Sequence, residues 1–266
     1  IYMQTYKPTL KGHPYQIKKA CEAIKEAKRP IAYIGGGAIS SGASELVREF
    51  VEKTGIPAVQ TLMALGVVDA NDEKNLGMVG MHGSYAANMA LSEADLIIAL
   101  GARFDDRVTG NVKEFAKSAK IIHIDIDPAS IDKIIHSDYP IVGDLASVLE
   151  QVLEKLSCDK EALKPWLEQI KVYNNLHPLS YKDSKDGEAL KPQWVIQELS
   201  NTLPKDAIIA TDVGQHQMWT AQFFKFCRPR ALLTSGGLGA MGFGLPAAMG
   251  AAWAVDDKKT PVVAIS

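Results

Sequence analysis

The sequence predicts an α/β protein: a doubly wound parallel sheet followed by a truncated second α/β domain. Three observations carry that expectation. Runs such as "IAYIG", "ADLIIALG" and "AKIIHID" are apolar at successive positions, the pattern of strands buried on both faces. Between them lie stretches whose apolar residues recur at helical spacing, so strand and helix alternate along the chain. Glycines and acidic residues gather where the strands end, the edge at which such sheets hold ligands.

Taken in order, Ile17, Cys21, Ile24 and Ala27 form the apolar stripe of a first helix. Pro30 then introduces "IAYIGGG", the first strand. Leu46, Val47, Phe50 and Val51 mark the next helix, with Ser40 or Ser41 placed to cap it. "IPAVQT", "ADLIIALGARF", "AKIIHIDIDP" and "YPIVGD" read as the second to fifth strands. The last leads into "LASVLEQVLEKL", where Leu145, Val148, Leu149, Val152, Leu153 and Leu156 share one helix face. This domain is expected over residues 14–157, with residues 1–13 as the remnant of a preceding linker. Residues 158–190 are charged and turn-rich, the composition of a surface linker.

A second alternation occupies residues 191–266. "PQWVIQELSNTLP" is a helix with Pro192 near its first turn. A strand "DAIIATDVG", a helix "HQMWTAQFF", a strand "RALLTSGG" and a helix "GLPAAMGAAWAV" follow. "TPVVAIS" would be the third strand of a winding cut off part-way.

Composition narrows the function classes. A net charge of −2 with no Lys/Arg block speaks against nucleic acid as a partner. Cys21, Cys158 and Cys227 match neither a disulfide framework nor a zinc site, which points to a reducing compartment. The opening "IYMQTYKPTLKGHP" lacks the apolar core of a signal peptide. The expected location is the cytoplasm, or an organelle matrix in a eukaryote. Residues 231–255 carry no charge and are long enough to span a bilayer. Six glycines and Pro246 make them a poor spanning helix, however. A ligand-facing turn followed by a buried helix accounts for them better, and no membrane is expected.

The chemistry sits at strand ends. "IGGGAISSG" allows a phosphate to approach backbone N–H groups, or is simply a tight strand-to-helix turn. It is a poor dinucleotide fingerprint, because Ser40 stands where a third glycine belongs and the second strand ends at Thr61 without a ribose-binding carboxylate. Arg103 and Arg107 bracket Asp105 and Asp106 directly after a strand, and Asp125, Asp127 and Asp144 offer acceptors at two further ends. Together these favour an extended, phosphate-bearing ligand. His82 reads as a residue that positions a ligand or bonds to backbone rather than as a base, and His123 and His136 as structural. In the second domain, "TDVGQHQMW" opens a helix with donors suited to an anion. "TSGGLGAMGFG" lets a flat ligand lie against backbone, with Met241 as a wedge under a ring.

"GARFDDRVTG", "DVGQHQMW" and "SGGLGAMGFGLPAA" together resemble the catalytic subunits of acetohydroxyacid (acetolactate) synthases, thiamine-diphosphate-dependent carboligases. The resemblance runs from about Pro14 to Ser266, and "RFDDR" separates this family from flavin-free acetolactate synthases and pyruvate decarboxylases. It implies three Rossmann-like α/β domains, of which this chain would hold the central FAD-binding one and the start of the diphosphate-binding one. The implied activity is a transferase reaction of branched-chain amino acid biosynthesis: pyruvate is decarboxylated and its two-carbon unit joins a second 2-ketoacid. The implied cofactors are thiamine diphosphate, Mg²⁺ and a structural FAD.

By motif, the resemblance runs FAD along Gly35, Gly36 and Gly37, then Thr61, Leu62 and Met63. Gly80, Met81 and His82 line it, followed by Gly101, Ala102, Arg103, Asp105 and Val108. Asp125 and Ile126 meet its adenosine end, with Gly143 and Asp144 nearby. Gln217, Met218, Gly236 and Gly237 approach from the second domain. Gly214, Gln215, His216, Gly239 and Met241 contact thiamine diphosphate, Met241 also enforcing its bent shape. Arg107 receives the 2-ketoacid carboxylate. The metal ligands are expected just after Ser266, none within this chain, so the stretch alone is expected to be inactive. A homo-oligomer, dimer or tetramer, and a regulatory small subunit are the implied protein partners. The rival readings are a flavin or nicotinamide oxidoreductase or deacylase with a similar nucleotide-binding domain, and a non-catalytic cofactor-binding module.

Overall fold

The fold was obtained as a computed structural model, which describes residues 7–185, 187–255 and 259–266. The first six residues of the expected linker remnant lie outside the described residues. Strands β1 (Pro30–Ile34), β2 (Ala58–Gln60), β3 (Asn75–Met78), β4 (Leu96–Leu100), β5 (Lys120–Asp125) and β6 (Tyr139–Val142) form one sheet. Every pairing in it is parallel, in the order β3-β2-β1-β4-β5-β6. β1 and β4 are neighbours in space but not in sequence. The winding reverses between them, and the crevice outside their carboxyl ends is where this topology places a ligand. The edge strand β3 is the one the sequence reading lacks. Its "NLGM" is short, only Leu76 and Met78 are buried, and Gly77 at φ 83° breaks the pattern.

Successive strand residues point to opposite faces, and both faces are apolar. From β1, Ala32 and Ile34 pack with Val47, Phe50 and Val148, whereas Ile31 and Tyr33 pack with Ala86, Ala90 and Trp166. Helices Pro14–Glu26, Ser44–Thr54 and Leu145–Lys155 cover the first face. Helices Tyr85–Glu93 and Lys164–Leu176 cover the second. Each large side chain so buried contributes about 1.5–3 kcal/mol.

The helix Lys164–Leu176 departs from the sequence reading, because it lies inside the stretch expected to be linker. Trp166, Ile170 and Tyr173 recur at helical spacing and are buried, and Trp166 Nε1 donates to the Pro30 carbonyl at 3.1 Å. Lys164, Glu168 and Lys171 lie on the exposed side, and their charge gives the stretch its linker-like composition. Ser41 also differs from expectation. Its Oγ donates back to the Gly37 carbonyl at 2.8 Å, closing a short helix Gly37–Ser40 instead of capping the next one.

A second parallel sheet has β7 (Ile208–Thr211) between β8 (Leu232–Leu233) and β9 (Val262–Ile265). Helices Pro192–Thr202, Gln215–Phe223 and Gly244–Ala254 accompany it. The uncharged run 231–255 is divided into β8, a glycine loop and the last of these helices, and among the described residues no helix is long and apolar enough to cross a membrane. That helix is less buried than expected. Gly244 and Ala248 face the sheet, while Leu245, Met249 and Trp253 stand in solvent, because only one side of it meets β7, β8 and β9.

The two sheets meet at a tight seam. Leu65 and Met78 share an apolar cluster with Ile209, Ala221 and Phe226. The Arg48 guanidinium donates to the carbonyls of Val67 (2.6 Å), Gly66 (3.0 Å) and Cys227 (3.3 Å), and Ala70 N to that of Phe226 (3.1 Å). Gly66 has φ 90°, and a Cβ there would stand 2.1 Å from the Arg228 carbonyl oxygen.

Candidate functional site

A cavity of about 820 Å³ opens outside the carboxyl ends of β1, β2, β4 and β5 and is walled on its other side by the loops after β7 and β8. Its floor is backbone. Gly35 N donates to the Leu100 carbonyl and Gly37 N to that of Gly101, both at 3.0 Å. A Cβ on Gly35 would lie 2.2 Å from the Gly101 oxygen, and one on Gly37 2.8 Å from the Gly101 Cα. The glycines of "IGGG" are therefore required first because the β1 and β4 turns touch at the switch point. Their contact leaves a smooth surface facing the cavity.

The loop after β4 is shaped by Phe104. Its ring is buried against Tyr33, Phe115 and His123, with centroids 5.4, 6.0 and 5.0 Å away. Burying it puts the backbone at φ 54°, a left-handed conformation that costs a non-glycine residue about 1–2 kcal/mol. Arg103 and Asp105, on either side, consequently line the cavity. Asp105 accepts from Arg107 N at 3.2 Å and pairs with Arg103 Nη2 at 2.9 Å. Burial opposes its charge, but the Arg107 N–H, Asp106 and Arg103 hold its carboxyl below the usual carboxylate range. Arg107 has no carboxylate partner among the described residues, so its exposed guanidinium remains available at the cavity.

Beneath this loop, His123 is buried, with Nδ1 3.5 Å from Ser137 Oγ and Nε2 3.9 Å from Asp125 Oδ2. Burial pushes its imidazole below the ordinary histidine value, against the pull of Asp125. Asp125 lines the cavity and accepts from Asp127 N at 2.9 Å.

The opposite wall comes from the second sheet. Gly214 and Gln215 open the helix after β7, and Gln217 and Met218 follow on its inner side. Gln217 is buried and donates to Thr234 Oγ1 at 2.7 Å, which shares a 2.7 Å bond with Thr211 Oγ1. The glycine loop is held at its far end by Asp212, whose two carboxylate oxygens accept from Gly242 N at 2.8 and 3.0 Å. A Cβ on Gly236 would lie 2.5 Å from Met63 Sδ, so this glycine lets the loops of the two sheets interlock.

Most residues picked out from the sequence meet here. Gly35, Gly36 and Gly37, Thr61 to Met63, Met81 and His82, Gly101 to Arg103, Asp105, Arg107, Val108 and Asp125 form the wall on the first side. Gly214, Gln215, Gln217, Met218, Gly236, Gly237 and Gly239 form it on the second. Gly80, Ile126, Gly143, Asp144, His216 and Met241 stand outside the wall. Asp144 caps the helix Leu145–Lys155 by accepting from Ser147 N at 3.2 Å, and Gly143 packs against Gly12. Met241 is 86% exposed at the tip of the glycine loop. His216 Nε2 is buried with no hydrogen-bond partner.

The sequence reading misses Tyr33, Met78, Val79, Ser130, Val213, Ser235 and Leu238, all of which line the cavity. Tyr33 reads as an ordinary strand residue, and Met78 belongs to the strand that the sequence reading lacks. Val213, Ser235 and Leu238 lie inside the quoted motifs, but no chemical signal sets them apart. Among the described residues, no three His, Cys, Asp or Glu side chains converge as metal ligands would.

Residues 17–152 match the central domain of thiamine pyrophosphate enzymes, and residues 212–266 match their C-terminal TPP-binding domain. The chain is 49% identical to the acetolactate synthase large subunit of Corynebacterium glutamicum over 262 residues, 97% of this chain and 42% of that protein. It is 46% identical to the acetolactate synthase large subunit of Buchnera aphidicola over 252 residues, 94% of this chain and 44% of that one. To the acetolactate synthase isozyme 3 large subunit of Escherichia coli it is 44% identical over 263 residues, 97% of this chain and 46% of that one. The chain thus spans less than half the length of these curated relatives.

Proposed function

The chain belongs to the thiamine pyrophosphate enzymes, and from that premise we propose that it is part of an acetolactate synthase large subunit. The full-length protein decarboxylates pyruvate and condenses the two-carbon unit with a second 2-ketoacid, a step of branched-chain amino acid biosynthesis. One observation carries the reading: strand-end loops of both sheets line a single crevice, and an arginine without a carboxylate partner stands in its wall.

The crevice suits FAD as the extended ligand. Its floor is glycine backbone, and at Gly237 a Cβ would find no protein atom within 4 Å, so the wall is recessed there. Asp105 and Asp125 are the acceptors for sugar or ring N–H groups. The flavin serves structurally and undergoes no net redox change. For thiamine diphosphate, the supporting features are the helix opening at Gly214 and Gln215 and the orphaned Nε2 of His216. Gly239 and Met241, at the exposed tip of the glycine loop, hold the pyrimidine in this reading. Mg²⁺ belongs to the proposal for the whole protein. The described residues supply no ligand set for it.

Bound thiamine diphosphate supplies the carbanion equivalent needed for decarboxylation and carbon–carbon bond formation. The chain orients the reactants and excludes water. Arg107 fixes the acceptor carboxylate through a charge-assisted contact. The residues at the start of the helix Gln215–Phe223 neutralise the anionic end of the cofactor. A homo-oligomer and a regulatory small subunit complete the assembly, in keeping with relatives named as large subunits. The test is direct. Full-length protein supplied with thiamine diphosphate, Mg²⁺ and FAD should convert pyruvate to acetolactate with release of carbon dioxide. A folded, cofactor-loaded protein that leaves pyruvate unchanged would overturn the reading.

A further inference from the structure

The turn Gly80–His82 sits at the mouth of the cavity, and one side chain outside the wall grips it. Asn88, on the helix Tyr85–Glu93, accepts from Gly80 N through Oδ1 at 2.9 Å and donates to the Gly80 carbonyl through Nδ2 at 2.9 Å. Only a carboxamide presents one donor and one acceptor in this geometry, so both bonds depend on asparagine. Gly80 has φ 111°, and a Cβ there would lie 2.7 Å from the Arg107 carbonyl oxygen. The next residue bonds to that same oxygen, Met81 N donating at 2.8 Å. From the second sheet, Gln222 Nε2 donates to the His82 carbonyl at 2.9 Å.

We propose that Asn88 is a positioning residue, whose double bond to Gly80 holds the Gly80–His82 turn against the backbone of Arg107 and so aims the Arg107 guanidinium at the cavity mouth. The chain of contacts is short. Asn88 sets Gly80, Gly80 sets the direction of the Met81 N–H, and that N–H anchors the Arg107 carbonyl. Without the clamp, Gly80 regains the wide conformational freedom of glycine. The short helix Asp106–Thr109 that carries Arg107 then keeps its Asp105 cap but loses its outer support.

Only the kinetic consequence rests on the carboligase reading, so the test has two arms. In full-length protein, Asn88→Ala should raise the exchange rate of the Met81 amide about tenfold, as expected for losing two backbone-directed bonds. The Gly101 amide, bonded to the Ile124 carbonyl, should exchange as before. Asn88→Asp retains the acceptor for Gly80 N but sets a carboxylate oxygen against the Gly80 carbonyl, and should show a rise at least as large. It also carries the test if the alanine variant does not fold. In the second arm, Asn88→Ala should raise the KM for the acceptor 2-ketoacid about tenfold while kcat stays within about twofold. Unchanged Met81 exchange overturns the clamp. So does unchanged KM in a variant whose wild type is an active carboligase. A wild type without carboligase activity overturns the functional reading instead and leaves the exchange arm to decide the clamp.

Discussion

Two arginines four residues apart differ in their partners. Arg103 is tied to Asp105 at 2.9 Å, and Arg107 has no carboxylate partner among the described residues. Under the proposed function, replacing Arg107 with Ala in the full-length protein is expected to lower kcat/KM for the acceptor 2-ketoacid roughly 30- to 1000-fold, the cost of a lost charge-assisted contact in a transition state. Flavin affinity should change little, and a flavin titration beside the kinetics separates the two effects. An unchanged rate would remove the assigned role. The charge cluster and its place at a strand end were legible in "RFDDR". Which arginine stays unpaired was not, because that follows from Phe104 burying its ring under the loop and turning the backbone at that point.

At the level of elements, glycines that look alike in sequence meet different surroundings. Gly42 has φ 69° and nothing within 4 Å of a Cβ, whereas Gly66 has φ 90° and the Arg228 carbonyl oxygen 2.1 Å away. Gly42→Ala should cost about 1 kcal/mol, the backbone penalty alone. Gly66→Ala should cost about 3–4 kcal/mol, because overpacking against a fixed carbonyl adds to it. Thermal unfolding of the two variants gives the difference, and equal losses would mean that the seam yields easily. The helix Lys164–Leu176 carries a related lesson. Its buried stripe of Trp166, Ile170 and Tyr173 was present in the sequence but hidden by the charges around it. Strand β3 was missed for the opposite reason, having too few buried residues to make a pattern.

Over the whole molecule, the cavity depends on how the two sheets are held relative to each other. Arg48 lies outside its wall, yet it ties the Gly66–Val67 turn to the Cys227 carbonyl of the second domain. Arg48→Met keeps most of the apolar stem and removes these bonds. Under the proposed function it should weaken FAD binding about tenfold with no loss of any cavity-lining group. Lowered thermal stability with unaltered FAD affinity would show that the seam does not govern the cavity.

By itself, the sequence determined that two parallel α/β units follow one another and that their strand ends carry the chemistry. Those features rest on periodicity and turn residues, which act between near neighbours. The tertiary structure alone decided that the "IGGG" turn is packed on Gly101, that Gly236 interlocks with Met63, and that Trp166 bonds to the Pro30 carbonyl. Each of these is a meeting of residues far apart in the chain, set by the order of strands and by which side chains the cores bury. No local pattern encodes such a meeting.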